Sequence, residues 1–178
     1  IAAPGAQPLV ERIVEGHLDA IVDAGGDTLA IVRAVGGGLG VTYKDEAPPS
    51  PAEYGAAIAR ALAGWEGEVH LEPGRVLVGN AGLLLTRVLY LKRHGRKTFV
   101  VVDAAMNDLI RPALYEAWHD ISPLATLDRP QALYDVVGPV CESSDVLGTD
   151  RRLAIAPGDG VAILSAGAYG MVMSSNYN

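Results

Sequence analysis

Near Leu83 the chain changes its rhythm, so any fold it adopts must join two different kinds of layer. Before that point, helical spacing alternates with strand-length apolar runs. From Pro8 to Ala24, apolar residues at Val10, Ile13, Val14, His17, Leu18, Ile21 and Val22 predict a helix, opened by Pro8 and ended by Gly25-Gly26. Leu29 to Val35 is a strand-length run broken only by Arg33, and it feeds Gly36-Gly37-Gly38-Leu39-Gly40. A capping box of Ser50 and Glu53, with Pro51 in the first turn, starts the next helix, which stops at Gly64. Val69 to Glu72 then reads as a short strand ending at Pro73-Gly74.

Helix, strand, glycine loop, helix and strand in that order form the rhythm of a parallel α/β unit. Beyond Leu83 the pattern is mostly β. Leu83 to Leu91 and Thr98 to Asp103 read as a pair of strands across a basic turn. Tyr134 to Val140 and Val161 to Ser165 read as further strands, and only Met106 to Trp118 suggests a helix, broken by Pro112. The expected fold class is α/β plus β. Residues 1–84 are expected to form a partial (β/α) barrel and residues 85–178 a mostly β C-terminal domain, itself incomplete.

Composition excludes several function classes. With 49% hydrophobic and 20% charged residues, the 178-residue chain reads as a soluble globular protein with a substantial core. The net charge of −7 argues against a nucleic-acid partner. The cluster Lys92, Arg93, His94, Arg96 and Lys97 around Gly95 reads as a solvated hairpin tip. The apolar run Leu83 to Leu91 is too short to cross a bilayer, and no secretory signal opens the chain. A single cysteine fits a reducing cytoplasm and gives no disulfide framework. The chain opens Ile1-Ala2-Ala3 without methionine and stops directly after a motif-rich stretch, so it is expected to be part of something longer.

Five segments could carry chemistry. Gly36 to Gly40 follows a strand and can turn backbone N–H groups towards a phosphate, although a plain glycine turn would look the same. Glu72-Pro73-Gly74-Arg75 ends the next strand with a carboxylate and a guanidinium, and His70 before it reads as a packed or hydrogen-bonded core histidine. Arg111 and Tyr115 set a second guanidinium and a phenol four residues apart. Cys141-Glu142-Ser143-Ser144-Asp145 suggests proton delivery or an amine contact; one cysteine without a nearby histidine pair makes a poor metal site, and no metal is expected. Tyr169 lies in a glycine frame suited to a phosphate or carboxylate contact.

In order along the chain, five segments together resemble diaminopimelate decarboxylase, a pyridoxal-phosphate (PLP) enzyme with an alanine racemase-like fold. They are Gly36 to Gly40, Glu72 to Arg75, Asp103 to Tyr115, Val137 to Asp145 and Ala166 to Gly170, and the closing Ser174-Ser175-Asn176-Tyr177-Asn178 also matches. The stretches Asp103 to Tyr115 and Val137 to Asp145 are the most specific, and ornithine or arginine decarboxylases match them less well. The resemblance implies that Gly36, Gly37 and Gly38 hold the PLP phosphate with Tyr169, while Glu72 pairs with the pyridine nitrogen. It implies that Arg75, Arg111 and Tyr115 grip the distal carboxylate of the substrate. Cys141 and Glu142 would reach into a partner subunit's site in a homodimer, Glu142 also touching substrate. The implied reaction removes the carboxylate at the D-centre of meso-diaminopimelate and gives L-lysine in the cytoplasm, without a nucleic-acid or membrane partner.

The departures from the family are equally specific. The family's Schiff-base lysine lies in barrel strands absent from this sequence, whose three lysines are Lys44, Lys92 and Lys97. The family's His-Ile-Gly-Ser-Gln segment is matched by Ala3-Pro4-Gly5-Ala6-Gln7, without the histidine and serine. A closed (β/α)₈ barrel needs about 250 residues, so the chain alone is expected to be inactive. The alternatives are a non-catalytic partner that keeps the decarboxylase β domain, and an ornithine or arginine decarboxylase.

Overall fold

The computed structural model describes residues 19–23, 29–126 and 128–178. They divide into two compact units. One is made of 1–42 with 46–76, the other of 43–45 with 77–178.

The first unit holds a three-stranded sheet in the order β1 (Asp19–Asp23), β2 (Leu29–Gly36), β3 (Glu68–Leu71). β2 and β3 run parallel, with helix α1 (Pro51–Ala61) in the connection between them. This is the α/β rhythm read from the sequence. The α1 start also matches: Ser50 Oγ accepts from Glu53 N at 3.2 Å, and Ser50 N donates to Glu53 Oε2 at 2.8 Å. Among the described residues, Leu39, Tyr54 and Ile58 are buried together and Leu62 and Val76 pack against them.

One expectation fails in this unit. The helix read over Pro8 to Ala24 lies mostly outside the described residues, and its end, Asp19–Asp23, is strand β1, antiparallel to β2 from Asp19 opposite Arg33 to Asp23 opposite Leu29. β-branched Ile21 and Val22 suit a strand, and a ladder to β2 overrides spacing that only a longer helix could exploit.

Helix α2 (Gly74–Val78) and a 3₁₀ turn at Gly79–Ala81 precede the strands of the second unit. Its six-stranded mixed sheet runs in the order β6 (Ile121–Pro123), β9 (Gly160–Ile163), β4 (Leu84–His94), β5 (Lys97–Val102), β7 (Ala132–Val137), β8 (Val146–Leu153). The eleven-residue β4 is shared: Leu84 to Arg87 pair with β9, and Val88 to His94 pair with β5. Only β5 and β7 are parallel neighbours. The end strands β6 and β8 pack on each other without a hydrogen-bonded ladder, so the sheet nearly closes into a barrel. Its interior is filled by Val88, Val100, Val102, Leu109, Val136, Leu147, Val161 and Ile163, all essentially sealed from solvent.

One further reading changes. Pro112 does not break a helix over Met106 to Trp118. It lies in the first turn of a short helix, α3 (Arg111–Tyr115), where a missing N–H costs nothing. The basic turn is the expected exposed hairpin tip between β4 and β5, and at its edge Lys97 Nζ donates to the buried carboxylate of Asp135 at 2.6 Å. Burial pushes that carboxyl upward, but the Lys97 hydrogen bond, the Asp150 N–H and the Lys97 charge outweigh it and hold Asp135 below its usual range.

Candidate active site

In the first unit, the end of β2 brings the glycine loop beside the end of β3. Gly36 is paired with Leu71. Gly37 then passes so close to Glu72 that a Cβ on it would lie 2.5 Å from the Glu72 carbonyl oxygen, and Gly38 has φ +92, a conformation that favours glycine. Tyr54 of α1 clamps the loop by donating from its hydroxyl to Gly37 O at 2.6 Å, and burial pushes that phenol's pKa up. Three of the expected site residues, Gly36, Gly37 and Glu72, therefore meet at one strand end. Arg75 follows in the first turn of α2, exposed like Glu72. His70 is not a core histidine: it is exposed on the edge strand β3, with Nε2 3.0 Å from Glu68 Oε1. No strand covers that edge among the described residues, so only the hydrogen bond of the expectation holds.

In the second unit, two motifs are tied by one carboxylate. Asp145 is buried and accepts from Met106 N at 2.7 Å and from Val140 N at 2.7 Å, joining the 103–115 segment to the 137–145 segment. Gly138 sits under this junction. A Cβ there would lie 2.7 Å from Ala104 O and would overlap the Asp145 carboxylate, so no larger residue fits. Asp145 thus holds the loop while its neighbours Cys141 and Glu142 stand exposed. The Tyr177 hydroxyl donates to Glu142 Oε1, and this bond raises the pKa of the phenol. The closing segment is in turn held by Ser175 N donating to Asn107 O at 2.9 Å.

Arg111 and Tyr115 separate in their surroundings. Tyr115 is exposed, whereas Arg111 is buried, with its guanidinium 4.5 Å from the centre of the Tyr43 ring. Nη1 of Arg111 lies 2.9 Å from Nε2 of His119, whose Nδ1 lies 2.9 Å from Leu164 O. Tyr43 also meets the His119 ring edge-on at 5.4 Å. Tyr43 and His119 were missed from the sequence, because each meets Arg111 only through the tertiary fold. Tyr169 is partly exposed and has φ +61, a strained conformation for a non-glycine residue.

Behind α3 a cavity of about 400 Å³ is lined by Ala113, Glu116, Trp118, Ser144, Thr149 and Arg151 among others. Arg151 is buried, and its Nε and Nη1 meet no acceptor among the described residues. The Trp118 ring, 3.1 Å from the guanidinium carbon, offers its electron-rich face instead, while burial lowers the pKa of Arg151 to about 10.

The residues present fit one end of PLP and not the other. At Gly37 and Gly38, where the backbone passes Glu72 too closely for any Cβ on Gly37, bare backbone N–H groups could hold a phosphate. The aldehyde end needs a desolvated lysine, and all three lysines are exposed. Lys44 lies 4.6 Å from the Trp118 ring centre, Lys97 is bonded to Asp135, and Lys92 belongs to the hairpin. Among the described residues, no group of three or more His, Cys, Asp or Glu side chains could hold a metal, and no helix is long and apolar enough to cross a membrane.

Comparison with known proteins matches residues 15–167 to the model of the C-terminal sheet domain of pyridoxal-dependent decarboxylases. The chain is 57% identical over 144 residues to the diaminopimelate decarboxylase of Pseudomonas aeruginosa, covering 81% of this chain and 35% of that protein. It is 49% identical over 174 residues to the diaminopimelate decarboxylase of Pseudomonas fluorescens, covering 97% of this chain and 41% of that one. Among solved structures, it is similar to the Helicobacter pylori diaminopimelate decarboxylase complexed with L-lysine. That match has a TM-score of 0.77 and 45% identity, over 83% of this chain and 36% of the other. The chain therefore spans about two fifths or less of the length of these relatives.

Proposed function

Because the chain belongs to the pyridoxal-dependent decarboxylase family, we propose that it is the C-terminal portion of a diaminopimelate decarboxylase, which forms L-lysine from meso-diaminopimelate. The observation that carries this reading is the 57% identity over 144 residues to the diaminopimelate decarboxylase of Pseudomonas aeruginosa. In this reading, PLP when bound supplies the electron sink for the carbanion left by carbon dioxide. The chain's own residues supply grip and proton control. Backbone N–H groups at Gly36, Gly37 and Gly38 hold the phosphate, with Tyr169, and Glu72 pairs with the ring nitrogen.

Arg75, Arg111 and Tyr115 bind the carboxylate that is not lost. A guanidinium presents donors in a fixed fork, so an arginine held on one side can still meet a carboxylate with the other. Cys141 and Glu142 stand on a loop fixed from behind by Asp145, and they act in the partner subunit's site of a homodimer, where the thiol delivers a proton. The working location is the cytoplasm, and the β domain proposed to begin near residue 85 is the part that pairs. Lys44, Lys92 and Lys97 are all exposed, so the lysine that anchors the cofactor is supplied from outside this chain, which alone is inactive.

The test is a full-length decarboxylase carrying this segment, supplied with PLP and offered meso-diaminopimelate, ornithine and arginine separately. Lysine formed from meso-diaminopimelate alone supports the reading. Turnover of ornithine or arginine, or no turnover with bound PLP, sinks it.

A further inference from the structure

His119 is fully buried, touches no expected site residue but Arg111, and has no role in the chemistry above. Its two ring nitrogens are nevertheless committed in opposite senses. Leu164 O can only accept, so Nδ1 carries the proton and donates at 2.9 Å. A guanidinium can only donate, so Nε2, 2.9 Å from Arg111 Nη1, must present its lone pair. Both requirements are met by one species, the neutral Nδ1–H tautomer, and by no other.

We propose that His119 is a positioning residue for Arg111, using the Nε2 lone pair to fix one edge of the guanidinium so that the other edge is presented to the substrate carboxylate. The proposal rests on the reading of Arg111 as a substrate contact. Tyr43 completes the clamp by lying under the guanidinium face and against the His119 edge. A short helix such as α3 cannot by itself hold a long side chain in one rotamer, and an arginine loses much rotamer freedom when bound. A fixed acceptor removes that cost before substrate arrives.

The surroundings keep His119 in the form the clamp requires. Burial pushes its pKa below the usual histidine range. The hydrogen bond to Leu164 opposes that shift, and the charges of Arg111 and Arg151 reinforce it. Protonation would set an N–H of His119 against an N–H of Arg111, two donors with no acceptor between them.

The test uses the full-length decarboxylase carrying this segment and compares His119→Gln with His119→Asn. The longer amide of glutamine keeps an acceptor oxygen near the Nε2 position. That of asparagine reaches only as far as Nδ1 and can serve Leu164 but not Arg111. The expected result is a KM for meso-diaminopimelate raised about tenfold in His119→Asn, with kcat little changed and KM largely restored in His119→Gln. A merely structural role would lower the amount of active enzyme in both variants and leave KM alone. Equal KM values in the two variants would overturn the proposal.

Ring nitrogen NMR on the unmutated protein gives an answer that does not depend on how the variants fold. A neutral Nδ1–H ring at pH 7 is expected, and an imidazolium or an Nε2–H tautomer would overturn the clamp. Arg111→Ala separates the two layers of argument. If it leaves KM unchanged, the substrate-contact reading fails, whatever the tautomer of His119.

Discussion

The described residues of the two compact units differ in how far their apolar side chains are buried. In the second unit, thirteen buried residues form one cluster inside a sheet that nearly closes on itself, and Val100, Val102, Leu147 and Ile163 have no exposure. Among the described residues of the first, three buried residues make up the cluster, and β3 shows solvent on every residue, Val69 and Leu71 included. A sheet that curls back on itself removes its edges and fills its own interior, whereas a parallel α/β layer needs further strands to cover each edge. The first unit has such a layer with β3 at its rim, and the exposed His70 follows from the same shortfall.

Core truncations give the sharpest test of that contrast. Ile163→Ala removes buried methylenes from the closed interior and is expected to cost about 3–4 kcal/mol. Ile58→Ala, in the three-residue cluster, is expected to cost about 2 kcal/mol, because its surroundings can collapse into the space. Hydrogen exchange read separately over β9 and α1 measures both. Equal costs would mean that the first unit is as well packed as the second, and would break the comparison.

A second contrast lies within one motif. Asp145 and Glu142 are three residues apart, yet the first is sealed and bonded to two backbone N–H groups, and the second is exposed. Asp145→Ala leaves both N–H groups without their partner and is expected to destabilise the second unit by about 2–3 kcal/mol. Glu142→Ala is expected to stay within about 0.5 kcal/mol in the same unfolding experiment, while lowering decarboxylation in the full-length enzyme. A large stability loss at Glu142 would show that its bond to Tyr177 is structural.

The division between what could and could not be read from the sequence follows the range of the interactions. The capping box at Ser50 and Glu53 and the β4–β5 hairpin around Gly95 are local, and both are where their residues indicated. β6 is three residues long, and β8 carries Gly148, Asp150, Arg151 and Arg152 among its eight, so neither shows an apolar run. Both are strands because neighbours pair with them. The same holds for β1, where pairing with β2 overrode an apparent helix spacing. Among the proposed site residues, Arg111, Cys141 and Glu142 stand out as motifs. His119 and Tyr43 do not, since a lone histidine after a tryptophan and a tyrosine after a threonine show nothing until the fold sets them beside Arg111.

A smaller effect is expected at the hairpin of the closed sheet, where pH supplies the probe. Asp135 titrates below its usual value of 3.8 in the folded chain, so its contribution to stability is present above that value and is lost as pH falls through the lower folded value. Lys97, raised by its hydrogen bond to Asp135, contributes below 10.5 and loses its part as pH rises through its higher folded value. Lys97→Met should therefore move the acid unfolding midpoint of the second unit upward and leave that of the first unit where it was. An unmoved midpoint would show that the Asp150 N–H alone holds the carboxylate.

The smallest expected effect belongs to the first unit. Ser50→Ala removes the side-chain acceptor for Glu53 N at the start of α1, and N-cap losses of this kind cost about 1 kcal/mol. That cost falls on the element that also carries Tyr54, whose hydroxyl holds the glycine loop at Gly37. Fraying of α1 therefore loosens the glycine loop, and if that loop holds the phosphate as proposed, the apparent affinity for PLP in the full-length enzyme should fall. Replacing Ser50 by Asp keeps a cap acceptor and should restore that affinity. If Ser50→Ala weakens α1 in hydrogen exchange while PLP affinity is unchanged, the barrel portion of the enzyme holds the loop without help from Tyr54.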